Sequence, residues 1–128
     1  MIVLVDTSVW IRFLSNRSPY AAELDALLSR DEVSGHAFVY GELLIGDKGG
    51  RTPLLANYEQ MHQAPAVPHR DVVDFVRDRG LHGRGIGWID AHLLASARLS
   101  RAALWTLDRH LSKIASQLNL TAISHGRG

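Results

Sequence analysis

Short apolar runs alternate with segments of helical periodicity along this chain, and that alternation restricts its fold more than any other feature. Residues 2–5 are apolar without interruption, as expected of a strand that is buried on both faces of a sheet. Residues 103–107 predict a second strand, and residues 32–35 predict a short strand and turn. The alternation predicts an α/β domain with a mainly parallel central sheet.

Helical spacing of apolar residues fills the intervals between the predicted strands. The predicted helices cover residues 9–15, 21–28, 39–46, 54–61, 72–80, 88–99 and 111–118. Residues 80–87 contain four glycines and predict a loop, and residues 120–123 predict a last short strand. A chain of 128 residues has the size of one domain with a normal core, so we predict a single domain over residues 1–128.

Composition excludes several classes of protein. The chain has no cysteine, which excludes disulfides, thiolate metal sites and cysteine nucleophiles. Hydrophobic residues make up 46% and charged residues 21%, which is ordinary for a soluble globular protein and not for a disordered one. No apolar run approaches the length of about 18 residues that a membrane-spanning helix needs. The first apolar run is too short for a secretory signal peptide, so we expect a cytoplasmic protein.

The formal net charge is +1, but the charge is unevenly distributed. Residues 69–128 carry nine Lys and Arg against five Asp and Glu, together with five of the seven His. Such asymmetry is compatible with an anionic partner. A chance excess of solvated arginines explains it equally well.

Four of the thirteen acidic residues lie among apolar neighbours at the boundaries of predicted elements: Asp6, Glu42, Asp90 and Asp108. Asp6 and Asp108 each directly follow a predicted strand, at the edge of a parallel sheet where α/β proteins bind ligands. Burying carboxylates is costly unless something pairs them, and too few cations lie close in sequence. The pattern therefore predicts a carboxylate cluster that shares Mg²⁺ or Mn²⁺.

Each of these acids also has an ordinary structural explanation. Asp6, Asp90 and Asp108 could cap the helices that begin beside them, since Asp is a favoured N-cap residue. Glu42 could be a half-exposed helix residue beside Lys48. The recurrence of four such acids at element boundaries favours a shared site over four separate roles.

Four motifs around these acids resemble those of PIN domains, and their order and spacing across the whole chain are similar to VapC-type toxins of bacterial toxin–antitoxin pairs. The motifs are VDTSVW at residues 5–10, YGELLIG at 40–46, GWIDAHLLA at 87–95 and LWTLDR at 104–109. The resemblance implies a three-layer α/β/α fold and an Mg²⁺- or Mn²⁺-dependent endoribonuclease. It also implies an RNA substrate, an inhibitory small antitoxin as partner, and a homodimer.

The resemblance further implies roles for individual residues. Asp6, Glu42, Asp90 and Asp108 would form the catalytic and metal-binding acidic site, with Asp6 and Asp90 as the foremost metal ligands. The hydroxyls that would orient carboxylates or metal-bound water belong to Thr7, Ser8 and Thr106. Candidate contacts to the RNA backbone are Arg84, Arg109 and Lys113, for which plain surface solubility is the competing explanation. Position 110, where many relatives carry a further acid, is His110.

Three other functions compete with this interpretation. A phosphohydrolase of the haloacid dehalogenase type would use Asp6 as nucleophile, but Ser8 stands where its second Asp is expected. A nucleotide-binding module would need a complete glycine motif, and residues 83–87 lack both the final glycine of G-x-G-x-x-G and the Lys of a P-loop. A non-catalytic PIN-like module that binds RNA or protein is the third alternative, and the presence of all four acids argues against it.

Overall fold

A three-stranded parallel sheet forms the centre of the fold, which is given by a computed structural model describing residues 1–121. The strands are β1 (Val3–Val5), β2 (Val33–Ser34) and β3 (Ala103–Trp105), in the order β2-β1-β3. Val3 of β1 is in register with the first residue of each neighbouring strand. Because all three strands run parallel, their carboxyl ends lie at one edge of the sheet.

Seven α-helices accompany the sheet within the described residues, and the arrangement is the three-layer α/β/α fold that the PIN-domain resemblance implies. They are α1 (Thr7–Leu14), α2 (Tyr20–Ser29), α3 (Ala37–Ile45), α4 (Thr52–Gln60), α5 (His69–Asp78), α6 (Trp88–Ser100) and α7 (Arg109–Gln117). Helix α1 packs on α2, α3 on α4, and α5 on α6, while α6 and α7 both contact β3.

The seven predicted helices and the first three predicted strands are present, but several boundaries differ from the predicted ones. Helices α1 and α7 each begin two residues earlier than predicted, because Asp6 and Asp108 act as N-caps and the helix starts at its cap rather than at its first apolar residue. Strand β3 ends at Trp105, two residues before its predicted end, so Asp108 does not directly follow the strand.

The predicted last strand, residues 120–123, is only partly described. Leu120 and Thr121 are not in a strand, although the carbonyl of Leu120 accepts a hydrogen bond from the N–H of Leu104 (2.6 Å). Residues 122 and 123 lie outside the described part of the chain. The predicted loop over residues 80–87 is confirmed, and three of its glycines have positive φ.

The core surrounds β1, whose three residues are all buried. Helix α6 is buried continuously from Ala91 to Ala97, because it lies between the sheet and α5. Trp10 of α1 is 1% exposed and packs edge-on against Tyr58 of α4, with ring centroids 5.4 Å apart. Within residues 1–121 no helix is both long enough and apolar enough to cross a membrane.

Candidate active site

Asp6 lies at the carboxyl end of β1 and begins α1, so it stands at the centre of the sheet edge. Its backbone N–H donates to the carbonyl of Trp105 (2.9 Å). Oδ1 accepts the N–H of Thr7 (2.8 Å), and Oδ2 accepts the hydroxyls of Thr106 (2.7 Å) and Ser8 (2.9 Å). The side chain is only 7% exposed, and three hydrogen bonds therefore fix the orientation of a buried carboxylate.

Thr7 connects Asp6 to the second acid. While its N–H donates to Asp6, its Oγ1 donates to Oε1 of Glu42 on α3 (2.6 Å). Glu42 is half-buried and stands 35 positions further along the chain. A single residue in the first turn of α1 thus positions two carboxylates.

Two further hydroxyls tie the end of β1 to the segment that follows β3. Ser8 Oγ donates to Asp6 and accepts the N–H of Leu107 (3.0 Å). Thr106 Oγ1 donates to Asp6 and accepts the N–H of Asp108 (3.1 Å). Together with Thr7, these hydroxyls form a network, called here the hydroxyl network, that links three of the four acids.

Asp90 and Asp108 occupy the first turns of α6 and α7. Oδ2 of Asp90 accepts the N–H of Gly87 (3.0 Å), which makes one half of a capping box. Gly87 has no side chain to supply the other half. Oδ1 of Asp108 accepts the N–H of Leu111 (2.8 Å), an ordinary N-cap bond. Asp90 is half-buried and Asp108 is exposed.

Three of the acids use one carboxylate oxygen for the fold and leave the other free. No hydrogen bond from residues 1–121 reaches Oε2 of Glu42, Oδ1 of Asp90 or Oδ2 of Asp108. The ion pairs within the same residues involve other acids and none of these. Helix capping and a shared site are therefore not competing explanations, since one oxygen can cap while the other binds a ligand.

The four carboxylates are close enough to affect one another. Burial raises the pKa of Asp90, and the Gly87 N–H partly opposes that rise. The negative charges of Asp6, Asp108 and Glu42 raise the pKa of Asp90 further. The acidic site, Asp6 with Glu42, Asp90 and Asp108, is thus a region of mutual repulsion that a bound cation would relieve.

The donor set suits a hard divalent cation, because carboxylate oxygens without a cationic partner are the ligands that Mg²⁺ and Mn²⁺ prefer. Among residues 1–121, no three His, Asp or Glu side chains are grouped so that they could hold one ion together. The structure therefore brings the four acids to one edge of the sheet without grouping three of them around one point.

The family to which this fold belongs follows from comparison with known proteins. The family model described as PIN domain matches residues 3–117. The chain belongs to the PIN domain family. It is 42% identical over 110 residues to Ribonuclease VapC32 of Mycobacterium tuberculosis, in strain CDC 1551 / Oshkosh and in strain ATCC 25618 / H37Rv. The match covers 85% of this chain and 86% of the relative. The resemblance to VapC-type PIN proteins is thus confirmed.

In this PIN domain the glycine loop, residues 80–87, lies against α7 and contacts the acidic site through the N–H of Gly87, which Asp90 accepts. Arg84 donates to Oε1 of Gln117 near the end of α7 (2.5 Å). Gly85 has φ +83°, and a Cβ at this position would stand 3.0 Å from the ring of His110. Glycine is therefore required at this point, both for its positive φ and for the close approach of the loop.

The three basic residues predicted to contact RNA differ in their surroundings. Arg84 is held by Gln117, whereas Arg109 and Lys113 are exposed on the first two turns of α7. Arg109 directly follows Asp108, and Lys113 stands four positions later on the same face of the helix. Of the three, Arg109 and Lys113 are therefore the two that make no side-chain hydrogen bond or ion pair with residues 1–121.

Sequence reasoning missed an apolar groove that borders the acidic site. It lies between α3 and the start of α6, has a volume of about 410 Å³, and includes Glu42 in its lining. Trp88 and Ile45 both line it and are 43% and 88% exposed. In the sequence these residues only continue the helical spacing of apolar residues. The face of a helix that packs into the core shows the same spacing, so the sequence does not reveal the groove.

Proposed function

We propose that this PIN domain is an endoribonuclease that hydrolyses RNA phosphodiester bonds with Mg²⁺ or Mn²⁺. The observation that carries the proposal is a set of four carboxylates at the carboxyl edge of a parallel sheet, without a cationic partner among residues 1–121. The similarity to a protein named a ribonuclease supports the reaction class. A non-catalytic binding module would have no use for four mutually repelling acids.

In this mechanism Asp6 and Asp90 would hold the cation, with Glu42 and Asp108 completing the acidic site. When bound, the cation lowers the pKa of water and offsets the charge of the phosphate. The hydroxyl network keeps the carboxylates in place before the substrate arrives. Glu42 or Asp108, each with one carboxylate oxygen that has no partner among residues 1–121, accepts the proton from the attacking water.

The RNA backbone would be bound by cations around the acidic site. Arg109 and Lys113 are exposed on α7, and Arg84 adds a third positive charge from the glycine loop. These residues contact phosphates and so position the RNA without reading its sequence. Because four carboxylates repel a phosphate, the divalent cation serves substrate binding as well as chemistry.

We also propose that the protein is the toxin of a type II toxin–antitoxin pair in the cytoplasm, inhibited by a small cognate antitoxin, and that it forms a homodimer. Similarity to a VapC protein supports this assignment.

The decisive experiment is cleavage of a structured RNA with Mg²⁺ or Mn²⁺ and with EDTA. We expect cleavage by the wild type that EDTA abolishes, and a loss of at least about 100-fold in Asp6→Asn and Asp90→Asn. Asp25→Asn, which removes an exposed acid on α2, is the matched control and should cleave normally. Folded Asn variants that cleave as fast as the wild type would refute the carboxylate mechanism. RNA binding without any cleavage would support the non-catalytic module instead.

A further inference from the structure

The apolar groove is continuous with the acidic site. Helix α3 contributes Phe38, Gly41 and Ile45 to its lining, and the start of α6 contributes Trp88 and Ile89. Glu42 belongs both to the groove and to the acidic site, and Ile89 directly precedes Asp90. A substrate whose phosphate lies at the carboxylates therefore has part of its structure within reach of the groove.

Trp88 is a fixed aromatic surface in this groove. It is 43% exposed, whereas Trp10 and Trp105 are only 1% and 9% exposed. His92 packs edge-on against its ring (5.1 Å between centroids, 85° between planes), and His69 lies 5.3 Å away. These contacts restrain the indole while leaving much of its surface open to a ligand.

The groove also has space for a flat ligand. Gly41 occupies a helical position of α3 where an added Cβ would meet nothing within 4 Å. The volume of about 410 Å³ is within the range of small-molecule sites, about 300–1,000 Å³. Among the lining residues only Glu42 is charged, so the groove attracts no phosphate and suits an uncharged, flat, apolar surface.

We propose that the groove binds a nucleobase of the RNA, namely the base next to the cleaved phosphate, stacked on the indole of Trp88. The inference rests on the proposed ribonuclease function and adds a base-binding subsite to it. Stacking on an aromatic side chain is how proteins commonly hold unpaired bases, and every base has a π-face for it. The subsite thus selects RNA in which this nucleotide is unpaired.

Fluorescence provides a test that does not depend on cleavage, because Trp88 is the one exposed tryptophan of the three in the chain. A short single-stranded RNA is titrated into Asp90→Asn, which does not cleave and lacks one of the carboxylates that repel a phosphate, alongside the same RNA lacking one base. We expect the RNA to quench the exposed tryptophan emission, and the abasic RNA to quench it less. Equal quenching by both RNAs, or none from RNA that binds, would overturn the proposal.

Cleavage kinetics test the same subsite through two unrelated variants. Base–aromatic stacking is worth about 1–3 kcal/mol, so Trp88→Ala should lower kcat/KM by about 5- to 150-fold, with Trp88→Phe in between. Gly41→Leu, which fills the groove at a position with open space, should lower kcat/KM similarly. Leu99→Ala, which removes another exposed apolar side chain of α6, is the matched control and should cleave normally.

The outcomes separate this inference from the function on which it rests. If the wild type neither binds nor cleaves RNA, the ribonuclease proposal fails. If the wild type cleaves RNA but Trp88→Ala and Gly41→Leu cleave equally well, the base-binding subsite fails and the ribonuclease proposal stands. If these two variants instead shift the protein from dimer to monomer in sedimentation, a second copy of the chain covers the groove and the subsite is overturned.

Discussion

Thr7 shows how one residue can position two carboxylates of the acidic site. Its backbone N–H fixes Asp6 and its hydroxyl makes the hydrogen bond that Glu42 accepts. Thr7→Val removes that hydroxyl while keeping the size and the backbone of the residue. We expect kcat to fall about 10- to 100-fold, as is typical when a residue that orients a ligand is lost.

Thr7→Ser is the matched control for this change, since it keeps the hydroxyl and should recover most of the activity. Thermal unfolding of Thr7→Val should stay within a few degrees of the wild type, because one half-exposed hydrogen bond contributes only about 1 kcal/mol. Equal kcat in Thr7→Val and the wild type would exclude a positioning role for Thr7.

Asp90 is predicted to destabilise the metal-free protein. Its pKa is raised by burial and by the other three acids, so the folded state holds a proton more tightly than the unfolded state does. The stability attributable to Asp90 is therefore lost as the pH rises from its ordinary pKa through the raised value. In EDTA at pH 7, Asp90→Asn should raise the free energy of unfolding by about 1 kcal/mol.

With added Mg²⁺ the wild type should be more stable than Asp90→Asn, because the wild type gains binding energy that the variant has lost. Urea unfolding of both proteins, with EDTA and with Mg²⁺, measures the difference. Asp25→Asn serves again as the control and should change neither value. A variant that is less stable than the wild type in EDTA would show that the carboxylates are not in repulsive contact.

At the scale of elements, α3 begins at a buried histidine that must stay neutral. His36 is fully buried, its Nδ1 accepts the N–H of Phe38 (3.0 Å), and its Nε2 lies 3.0 Å from the Ser96 hydroxyl. Ser96 donates its own proton to the carbonyl of Pro65 (2.8 Å), so Nε2 must be the donor toward Ser96. Burial, followed by the nearby His92, lowers the pKa of His36 to about 4.

This lowered pKa predicts a stability that depends on pH. Above pH 6.5 the histidine is neutral in both states, and the stability it contributes is fully present. As the pH falls from 6.5 toward 4 the unfolded state takes up the proton first, so stability drops by up to about 1.4 kcal/mol per pH unit. His36→Asn, which can still cap α3, should lose about 1–2 kcal/mol less than the wild type between pH 7 and pH 5.

Urea unfolding at both pH values measures that difference, and the carboxylates that titrate in the same range cancel in the comparison. Parallel losses in the two proteins would mean that His36 is not the titrating group.

The sequence predicts the fold and the four acids better than it predicts the groove. Asp6 could be predicted because it directly follows a run that is apolar on consecutive residues, and such runs mark buried parallel strands. The sequence predicts helix starts less accurately than strands such as β1, because caps such as Asp108 are polar and do not continue the apolar pattern. Trp88 and Phe38 stand 50 positions apart in sequence, and only the packing of α6 beside α3 places them in one groove.

At the scale of the whole molecule, the net charge of +1 understates the positive charge that is available to bind RNA. Four of the thirteen negative charges belong to the acidic site, and bound divalent cations would offset them locally. The chain has 14 Lys and Arg against the nine remaining acids, so the rest of the chain has a surplus of five positive charges. An excess of positive charge outside the acidic site is consistent with a polyanionic substrate.

This distribution predicts how RNA binding responds to salt. Each phosphate contact by a cation releases counterions, and for a single strand each contributes about 0.7 to the slope of log affinity against log salt. In the Asp90→Asn background, Arg109→Ala and Lys113→Ala should each weaken binding and reduce that slope by about 0.7, the contribution of one contact. Arg12→Ala on α1 should change neither. Dissociation constants measured at several KCl concentrations give the slopes. An unchanged slope in both α7 variants would place the RNA backbone elsewhere, since charge that binds phosphate cannot be removed without altering the salt dependence.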